Sequence, residues 1–481
     1  MSTGNIERAV TRRTLLGGAA AMAGLAAARR LIAQPSTVTN PEELKRIEAA
    51  LPPKAPAVPR KARRLLIFDL NVGYGGHASI TTANTAFALM GRKTGAFETV
   101  QSRDPAVFKP DSLRRFDAVF FNNTVGNCFE DPALRESLVE FVYSGGGLMG
   151  VHGTSVAFTK WPGAIEDWPE FGIMFGGRGA NHKANDEHVF IKLDDPTHPV
   201  NQAFGGRDFD YRDEFFRVHE PYSRDRVRVL LSIDTTKTDM QQQPSYGAVV
   251  RSDNDYALAW VRQYGLGRVF YCGFAHHPSV FWDPKMLEFY LAATQFALGD
   301  LTAPTTPSAR LTPAIRAQEQ LGWRLALTAS DRYTLFETID RAAQLGLIHV
   351  GGYAEQTVSS NIPKQFDDRL SSDERRQVRL KLDAAGVRLL AYYVNHEPYT
   401  AKTLEFGKTM GAEAVVTDAI PQNIMSLDAA ARGNRIVPVL ADVCRRGAKP
   451  VVFTIGQSDN LAQHIEVFNQ TSIRLANGGG S

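Results

Sequence analysis

Three histidines follow short apolar segments that have the pattern of buried β-strands. His77 comes after IFDL, His152 after GGLMG and His276 after RVFYCGF. Since neighbouring parallel strands present their carboxyl ends at one edge of an α/β sheet, the three imidazoles are predicted to converge there. Together with Glu214 of the segment DEFFRVHEP, they fit a divalent metal such as Zn²⁺ or Mn²⁺, or an acid/base site working near neutral pH.

Further residues fit the same crevice. His182 lies in the glycine-rich segment FGGRGANHKAND, and Trp168 and Trp282 have rings that could stack on a sugar, although packing explains a tryptophan equally well. The histidines lack the fixed spacing of a helical zinc motif, and each has the alternative of simply bonding its local backbone. No GxGxxG pattern or Walker lysine is present, so no nucleotide cofactor is expected.

The elements that position these residues alternate between strands and helices. Apolar runs between amphipathic segments over residues 63–300 predict a central, largely parallel sheet covered by helices, with later strands antiparallel. A Pro/Thr/Ser-rich linker spans 301–313. A second α/β region follows over 314–475, with five β/α units where a closed barrel usually has eight, and one of its helices is expected near Ile436–Arg446. Residues 476–481 are expected to form a flexible tail.

The first 33 residues have the features of a twin-arginine export signal, with Arg12 and Arg13 before an Ala/Gly/Leu run. Cleavage is expected near Ala28 or Ala33, which gives a periplasmic or secreted protein without stable membrane insertion, and residues 34–62 are a tether. Without residues 1–33 the chain has 49 basic and 50 acidic side chains, so no nucleic-acid partner is expected. Three widely spaced cysteines exclude a disulfide scaffold.

Residues 63–300 resemble the ThuA-like (trehalose-utilisation) family, a branch of the class I glutamine-amidotransferase-like fold, which is flavodoxin-like and doubly wound. The resemblance rests on RRLLIFDLNVGYGGHASI, GGGLMGVHGTS, FGGRGANHKAND, DEFFRV and GLGRVFYCGFAHHPSVFWDPKMLEF. It implies catalytic roles for His152, His276 and Glu214, with the two histidines as metal ligands or acid/base groups. His77 and His182 are then assigned to substrate binding, with Trp168 and Trp282 beside them.

Residues 321–419 resemble the sugar phosphate isomerases/epimerases of the xylose-isomerase-like barrel class, through GWRLALTASDRYTLFETIDRAAQLGLIHVGGY and DERRQVRLKLDAAGVRLLAYYV. The later strands that carry metal ligands in that class are missing or replaced, and Asp418 stands where a metal-binding glutamate is usual. We expect a truncated (β/α) barrel-like domain that packs on the first domain, on a second copy or on a partner chain.

The sequence therefore predicts an exported carbohydrate-active protein that acts on a small sugar, keto-sugar or glycoside by histidine-based acid/base or metal-assisted chemistry. The competing hypothesis is a non-catalytic sugar-binding or scaffold protein. A cofactor-dependent oxidoreductase is compatible with the export route, but no nucleotide fingerprint supports it.

Overall fold

The computed structural model describes residues 37–160, 165–241, 251–328, 332–394, 400–417, 437–440, 451–455 and 461–477. The predicted export signal, Asp418 and most of the predicted tail lie outside these residues. No helix in the described ranges is long and apolar enough to cross a membrane.

The first domain is organised around one large sheet. Its described strands are β1 (Arg64–Phe68), β2 (Glu98–Ser102), β3 (Ala118–Asn122), β4 (Gly147–Val151), β5 (Thr159–Lys160), β6 (Ile165–Glu166), β7 (Arg178–His182), β8 (Glu187–Leu193), β9 (Phe209–Asp213), β10 (Phe216–His219), β11 (Arg228–Ile233), β12 (Ala257–Tyr264) and β13 (Gly267–Cys272). Nine of them pair in the order β2-β1-β3-β4-β13-β12-β11-β8-β9. The first five in this order are parallel and the remaining pairings are antiparallel, which confirms the expected mixture.

Helices cover both faces of this sheet. They are α1 (Pro41–Ala50), α2 (Ser79–Thr94), α3 (Pro110–Leu113), α4 (Pro132–Tyr143), α5 (Pro169–Phe175) and α6 (Pro284–Leu298). Helices α2 and α6 share a core with one face of the strands, through Phe87 and Phe289, and α3 to α5 share a core with the other face. Strand β3 is buried at all five positions, as a central strand covered on both sides should be.

The segments on either side of this domain pack against it. In the segment predicted as a tether, Ile47 of α1 is fully buried, and the side chain of Gln295 in α6 accepts a 2.8 Å hydrogen bond from the backbone N–H of Ala57. In the predicted linker, the backbone N–H of Ser308 donates to the carbonyl oxygen of Val227. Both segments therefore contribute to the packing of the first domain.

The second domain contains a parallel sheet of six described strands: β14 (Trp323–Thr328), β15 (His349–Tyr353), β16 (Arg388–Val394), β17 (Ala414–Thr417), β18 (Val437–Leu440) and β19 (Val451–Ile455). Their order is β18-β17-β16-β15-β14-β19, so the last strand returns beside the first. The helices are α7 (Pro313–Leu321), α8 (Leu335–Gln344), α9 (Ser372–Ala385), α10 (Ala401–Thr409) and α11 (Leu461–Ala476). The chain is thus mixed α/β, with a large sheet rich in parallel strands.

One predicted element of this domain is wrong. The sequence favours a helix near Ile436–Arg446, but Val437–Leu440 form strand β18, paired in parallel with β17. Valines at positions 437 and 439 fit a strand, and Pro438 is tolerated because β18 is an edge strand among the described residues. Residues 441–446 lie outside the described ranges.

Ion pairs join the two domains. The carboxylate of Asp383 in α9 accepts hydrogen bonds from the guanidinium groups of Arg226 and Arg262 in the first domain. The Nε atom of Arg376 donates to Oε2 of Glu170 over 2.8 Å. Because Asp383, Arg262 and Glu170 are almost fully buried, these pairs hold α9 against the first domain.

Candidate functional site

The carboxyl ends of β1, β4 and β13 lie at one edge of the first sheet and carry the predicted histidines. Residues after β1 lead to His77, His152 directly follows β4, and His276 follows β13. The ring centroids of His77 and His152 are 4.8 Å apart, and those of His152 and His276 are 5.3 Å apart. The structure thus brings together three residues that are up to 199 positions apart in the chain.

Glu214 lies at the centre of the histidines. Its Oε1 atom is 3.2 Å from Nε2 of His152 and 3.4 Å from Nδ1 of His276. Its Oε2 atom is 3.4 Å from Nδ1 of His182. One nitrogen each of His77, His152 and His276, together with a carboxylate oxygen of Glu214, lie within 4.8 Å of one another and could hold a single metal ion.

In His152 and His77, one ring nitrogen contacts a group outside the cluster. Nδ1 of His152 lies 3.1 Å from the carbonyl oxygen of Gly273, which is only an acceptor, so the proton of the ring is on Nδ1. Nε2 of His77 lies 3.4 Å from the hydroxyl of Tyr74. Within the described part of the chain, Nε2 of His152 and Nδ1 of His77 are buried without a hydrogen bond. Each ring therefore presents an unused nitrogen to the cluster.

A tight turn places His152 at this point. Its φ angle is +42°, in the left-handed region that is uncommon for residues other than glycine. The side chain of Asn123, at the end of β3, accepts a hydrogen bond from the backbone N–H of Gly153 and donates to the carbonyl oxygen of Ala275. Asn123 thereby joins the turn after β4 to the loop that carries His276.

Asp213 fixes that loop from the other side. Its buried carboxylate accepts hydrogen bonds from the backbone N–H groups of Ala275, His276 and His277, at 2.8, 3.2 and 2.9 Å. Since Glu214 is the next residue, one corner of the chain both holds the His276 loop and supplies the central carboxylate.

His182 reaches the cluster from an antiparallel ribbon formed by β7 and β10. In this ribbon His182 pairs with Phe216, whose ring centroid lies 5.5 Å from that of His182 and 4.9 Å from that of His152. The side chains of His182 and His276 are 19% and 20% exposed, whereas His152 is fully buried. His182 and His276 are therefore the better placed to meet a ligand.

Burial and mutual charge set the ionisation of the cluster. Burial lowers the pKa of His77 to about 3, with further lowering from His152 and His276, and burial also lowers the pKa of His182. Burial opposes ionisation of Glu214, but its contacts with His152 and His276 hold its pKa well below the ordinary range. For His276, burial acts to lower the pKa, yet the pairing with Glu214 raises it. At neutral pH the site thus combines an ionised carboxylate with a neutral His77.

The two predicted sugar-stacking tryptophans lie in packed surroundings. Trp168 is buried among Phe129, Phe158 and Phe171, with 7% of its surface exposed, so it fulfils the packing role that the sequence left open. Trp282 is half-buried, packs on the core of α2 and α6, and lies beneath the guanidinium of Arg46.

Candidate nucleophiles near the turn are engaged or inert. The hydroxyl of Thr154 donates to the carbonyl oxygen of Phe121, and that of Ser155 donates to the carbonyl oxygen of His152. Burial raises the pKa values of the Cys128 and Cys272 thiols to about 12. Among the described residues, the site therefore favours imidazole and carboxylate chemistry over covalent catalysis.

Sequence reasoning missed Tyr74 and Phe216, which contact the histidines, and Asn123, which joins the loops that carry them. A signal existed for Asn123, because a polar pair ends the apolar run of β3 at the same sheet edge as the histidines. Tyr74 and Phe216 lie in segments whose course is decided by tertiary packing. In the described part of the second domain, no group of three His, Cys, Asp or Glu side chains is placed to hold a metal.

Comparison with known proteins agrees with the resemblance of the first domain. Residues 64–297 match the ThuA family model, described as trehalose utilisation. The chain matches no curated protein at a significant level.

Solved structures that match include two proteins described as ThuA-like. The one from Bacteroides uniformis is 18% identical, with a TM-score of 0.40, and the match covers 50% of this chain and 94% of that chain. The one from Parabacteroides merdae is 16% identical, with a TM-score of 0.35, and the match covers 50% of this chain and 92% of that chain. On the family match, residues 64–297 of this chain are a ThuA domain.

Proposed function

We propose that the ThuA domain transforms a sugar, keto-sugar or glycoside by moving a proton at the cluster around Glu214. The observation that carries the proposal is the contact of one buried carboxylate with three imidazoles, two of which are partly exposed. Imidazoles and a carboxylate that meet at one edge of the sheet are groups suited to acid/base chemistry near neutral pH. The family description, trehalose utilisation, supports a carbohydrate as substrate.

The two oxygens of Glu214 divide the cluster into two parts. Oε1 faces His152 and His276, whereas Oε2 faces His182. We assign proton transfer to His182, which is partly exposed and oriented by Oε2. Fully buried His152 then has a positioning role, which revises its assignment as an acid/base group.

The chemistry that this arrangement assists best is deprotonation beside a carbonyl. His182 takes the proton from the carbon next to the carbonyl, and the electron pair of the broken C–H bond forms an enolate. Return of the proton from His182 to the same carbon gives exchange, whereas delivery of a proton to the former carbonyl carbon of an enediol gives isomerisation. For elimination, the carbonyl re-forms, the bond between the β-carbon and its oxygen breaks, and protonated His182 gives its proton to the leaving oxygen. Addition of water to the resulting enone completes a net hydrolysis.

Hydrogen exchange tests the proposal without knowledge of the product. Purified protein is incubated with a keto-glucoside in D₂O, and NMR measures deuterium at the carbon beside the carbonyl. We expect exchange by the wild type and a loss of about 100-fold or more in His182→Ala, the lower range for a general acid/base group. His188→Ala is the matched control, because His188 is exposed and pairs with Asp210 outside the cluster.

Absence of exchange by the wild type, or exchange that is equal in His182→Ala, would contradict the proposal. A sugar that binds without exchange or product would instead support the rival, a sugar-binding or scaffold protein.

The proposal also includes the fold type of each domain. The strand order β2-β1-β3-β4-β13 with helices on both faces supports a doubly wound, amidotransferase-like sheet, and the return of β19 beside β14 supports a shortened barrel in the second domain. The ion pairs of Asp383 favour an interaction role for that second domain. Export of the protein through the predicted N-terminal signal is also part of the proposal.

A further inference from the structure

We infer that the cluster is a zinc site whose ligands are Nδ1 of His77, Nε2 of His152, Nδ1 of His276 and Oε1 of Glu214. The inference rests on the proposed function because both concern the same cluster of residues, and it adds the metal ion that this cluster binds. His182 contacts the other oxygen of Glu214, Oε2, and is not one of the zinc ligands.

The distances around Glu214 fit a shared cation better than direct hydrogen bonds. Oε1 lies 3.2 Å from the nitrogen of His152 and 3.4 Å from that of His276, whereas a charge-assisted N–H···O bond is about 2.7–2.9 Å. Two ligands at about 2.0–2.1 Å from zinc in tetrahedral geometry lie roughly 3.3–3.4 Å apart. The observed separations therefore match the edge of a zinc coordination tetrahedron.

The orientation of His152 gives a second, independent argument. Its Nδ1 proton is directed at the carbonyl oxygen of Gly273, so in the neutral ring the lone pair of Nε2 faces the oxygen of Glu214. Two electron-rich atoms facing each other in a buried site repel unless a cation lies between them. A metal-bound histidine that donates its other N–H to a backbone carbonyl is a common second-shell arrangement.

The remaining histidines fit the same scheme. The Nδ1 atoms of His77 and His276 are buried and make no hydrogen bond within the described residues. One ring nitrogen of each of these histidines lies within 4.8 Å of the other candidate ligand atoms. Small inward movements complete the site. A set of three imidazole nitrogens and one carboxylate oxygen suits Zn²⁺, while Mg²⁺ prefers oxygen ligands.

Calorimetric titration of the metal-free, full-length protein with Zn²⁺ tests the inference in the absence of sugar. We expect one Zn²⁺ per chain, no saturable binding of Mg²⁺, and an affinity reduced roughly 100-fold or more in His152→Ala, since loss of even an outer-sphere partner typically costs 10- to 100-fold. Glu214→Gln retains the size of the side chain and should weaken binding in the same direction. Zinc should also raise the melting temperature of the wild type more than that of either variant.

His188→Ala is the matched control and should bind Zn²⁺ with wild-type affinity. The inference is overturned by a wild type that binds no zinc, by Glu214→Gln and His152→Ala variants that bind as tightly as the wild type, or by an equal loss in His188→Ala. Circular dichroism of the metal-free variants shows whether each is folded.

The outcome separates this inference from the proposed function. A wild type that catalyses deuterium exchange but binds no zinc would overturn the zinc site and leave the proton-transfer function standing. A protein that binds one zinc ion per chain but catalyses no exchange would support the zinc site and overturn the proton-transfer function.

Discussion

Nε2 of His152 lies 3.2 Å from Oε1 of Glu214, and the two residues come from different parts of the sheet, the turn after β4 and the corner after β9. Both side chains are almost fully buried. Burial of an imidazole beside a carboxylate has a free-energy cost, because both groups lose their contacts with water. Such an arrangement is typical of functional sites, so we infer that this contact serves function rather than stability.

Asp213→Asn should misplace the loop that carries His276. The amide replaces one of two oxygens that together accept three backbone N–H groups, so at least one buried donor loses its acceptor. We expect a loss of about 2 kcal/mol in the free energy of unfolding, measured by urea denaturation, together with weaker zinc binding. Asp210→Asn, on the exposed side of β9, should change stability by less than about 0.5 kcal/mol. Equal effects of the two variants would show that Asp213 has no positioning role.

Asp383→Asn should loosen the contact between the domains. The substitution removes the negative charge that Arg226 and Arg262 share, which leaves the buried guanidinium of Arg262 and the partly exposed one of Arg226 without their counter-charge. Breaking such a pair costs about 3–5 kcal/mol, so the melting temperature should fall clearly in calorimetry. Asp340→Asn removes a half-exposed pair with Lys381 and should cost about 1 kcal/mol or less. An unchanged melting temperature in Asp383→Asn would show that the contact between the domains does not depend on these ion pairs.

Asp117 should make the first domain sensitive to acid. Burial acts to raise its pKa, but hydrogen bonds from Lys61 and the backbone N–H of Arg64, with the charge of Arg63, lower it below the ordinary value. A carboxyl whose pKa is lower in the folded state stabilises that state above its unfolded pKa, about 3.9, and this stabilisation is lost as the pH falls through the folded pKa. Asp117→Asn should therefore be less stable than the wild type at pH 7, with a smaller difference at pH 3. Denaturation curves at both pH values measure the difference in the free energy of unfolding between the two proteins. The same difference at pH 3 as at pH 7 would show that Asp117 does not make stability depend on pH.

Trp168→Ala should affect folding and leave ligand binding in place. The indole is enclosed by aromatic rings, so its removal creates a cavity that costs about 3–5 kcal/mol. Urea denaturation measures this cost, and calorimetry with a keto-glucoside measures binding by the folded variant. Loss of sugar affinity without loss of stability would restore Trp168 as a sugar-binding residue.

Replacement of Arg12 and Arg13 by lysine should block export. The twin-arginine pair is the recognition feature of the predicted signal, and lysine keeps the charge while it removes the guanidinium pair. Fractionation of cells should find the variant inside the cytoplasm at full length, with the wild type in the periplasm and its new N-terminus just after Ala28 or Ala33. A wild type that remains uncleaved in the cytoplasm would contradict the export signal.

The sequence predicts the central strands well, because they are buried on both sides. The apolar runs around Val119, Leu148 and Phe270 all form strands. Strand β2, with the sequence ETVQS, was not predicted, since an edge strand with polar side chains lacks a continuous apolar pattern.

The convergence of the histidines could be anticipated from the topology, but their division of labour could not. Parallel neighbours bring His77, His152 and His276 to one edge whatever their sequence separation. The orientation of each ring depends instead on particular partners, such as the carbonyl oxygen of Gly273, 121 residues from His152. Contacts of this kind leave no local pattern in the sequence.

Elemental analysis of protein purified from its natural compartment, beside the His152→Ala variant prepared in the same way, tests the zinc site most directly. We expect about one zinc atom per wild-type chain and almost none in the variant. Zinc absent from both proteins, or present equally in both, would contradict a metal centre built on His152 and Glu214.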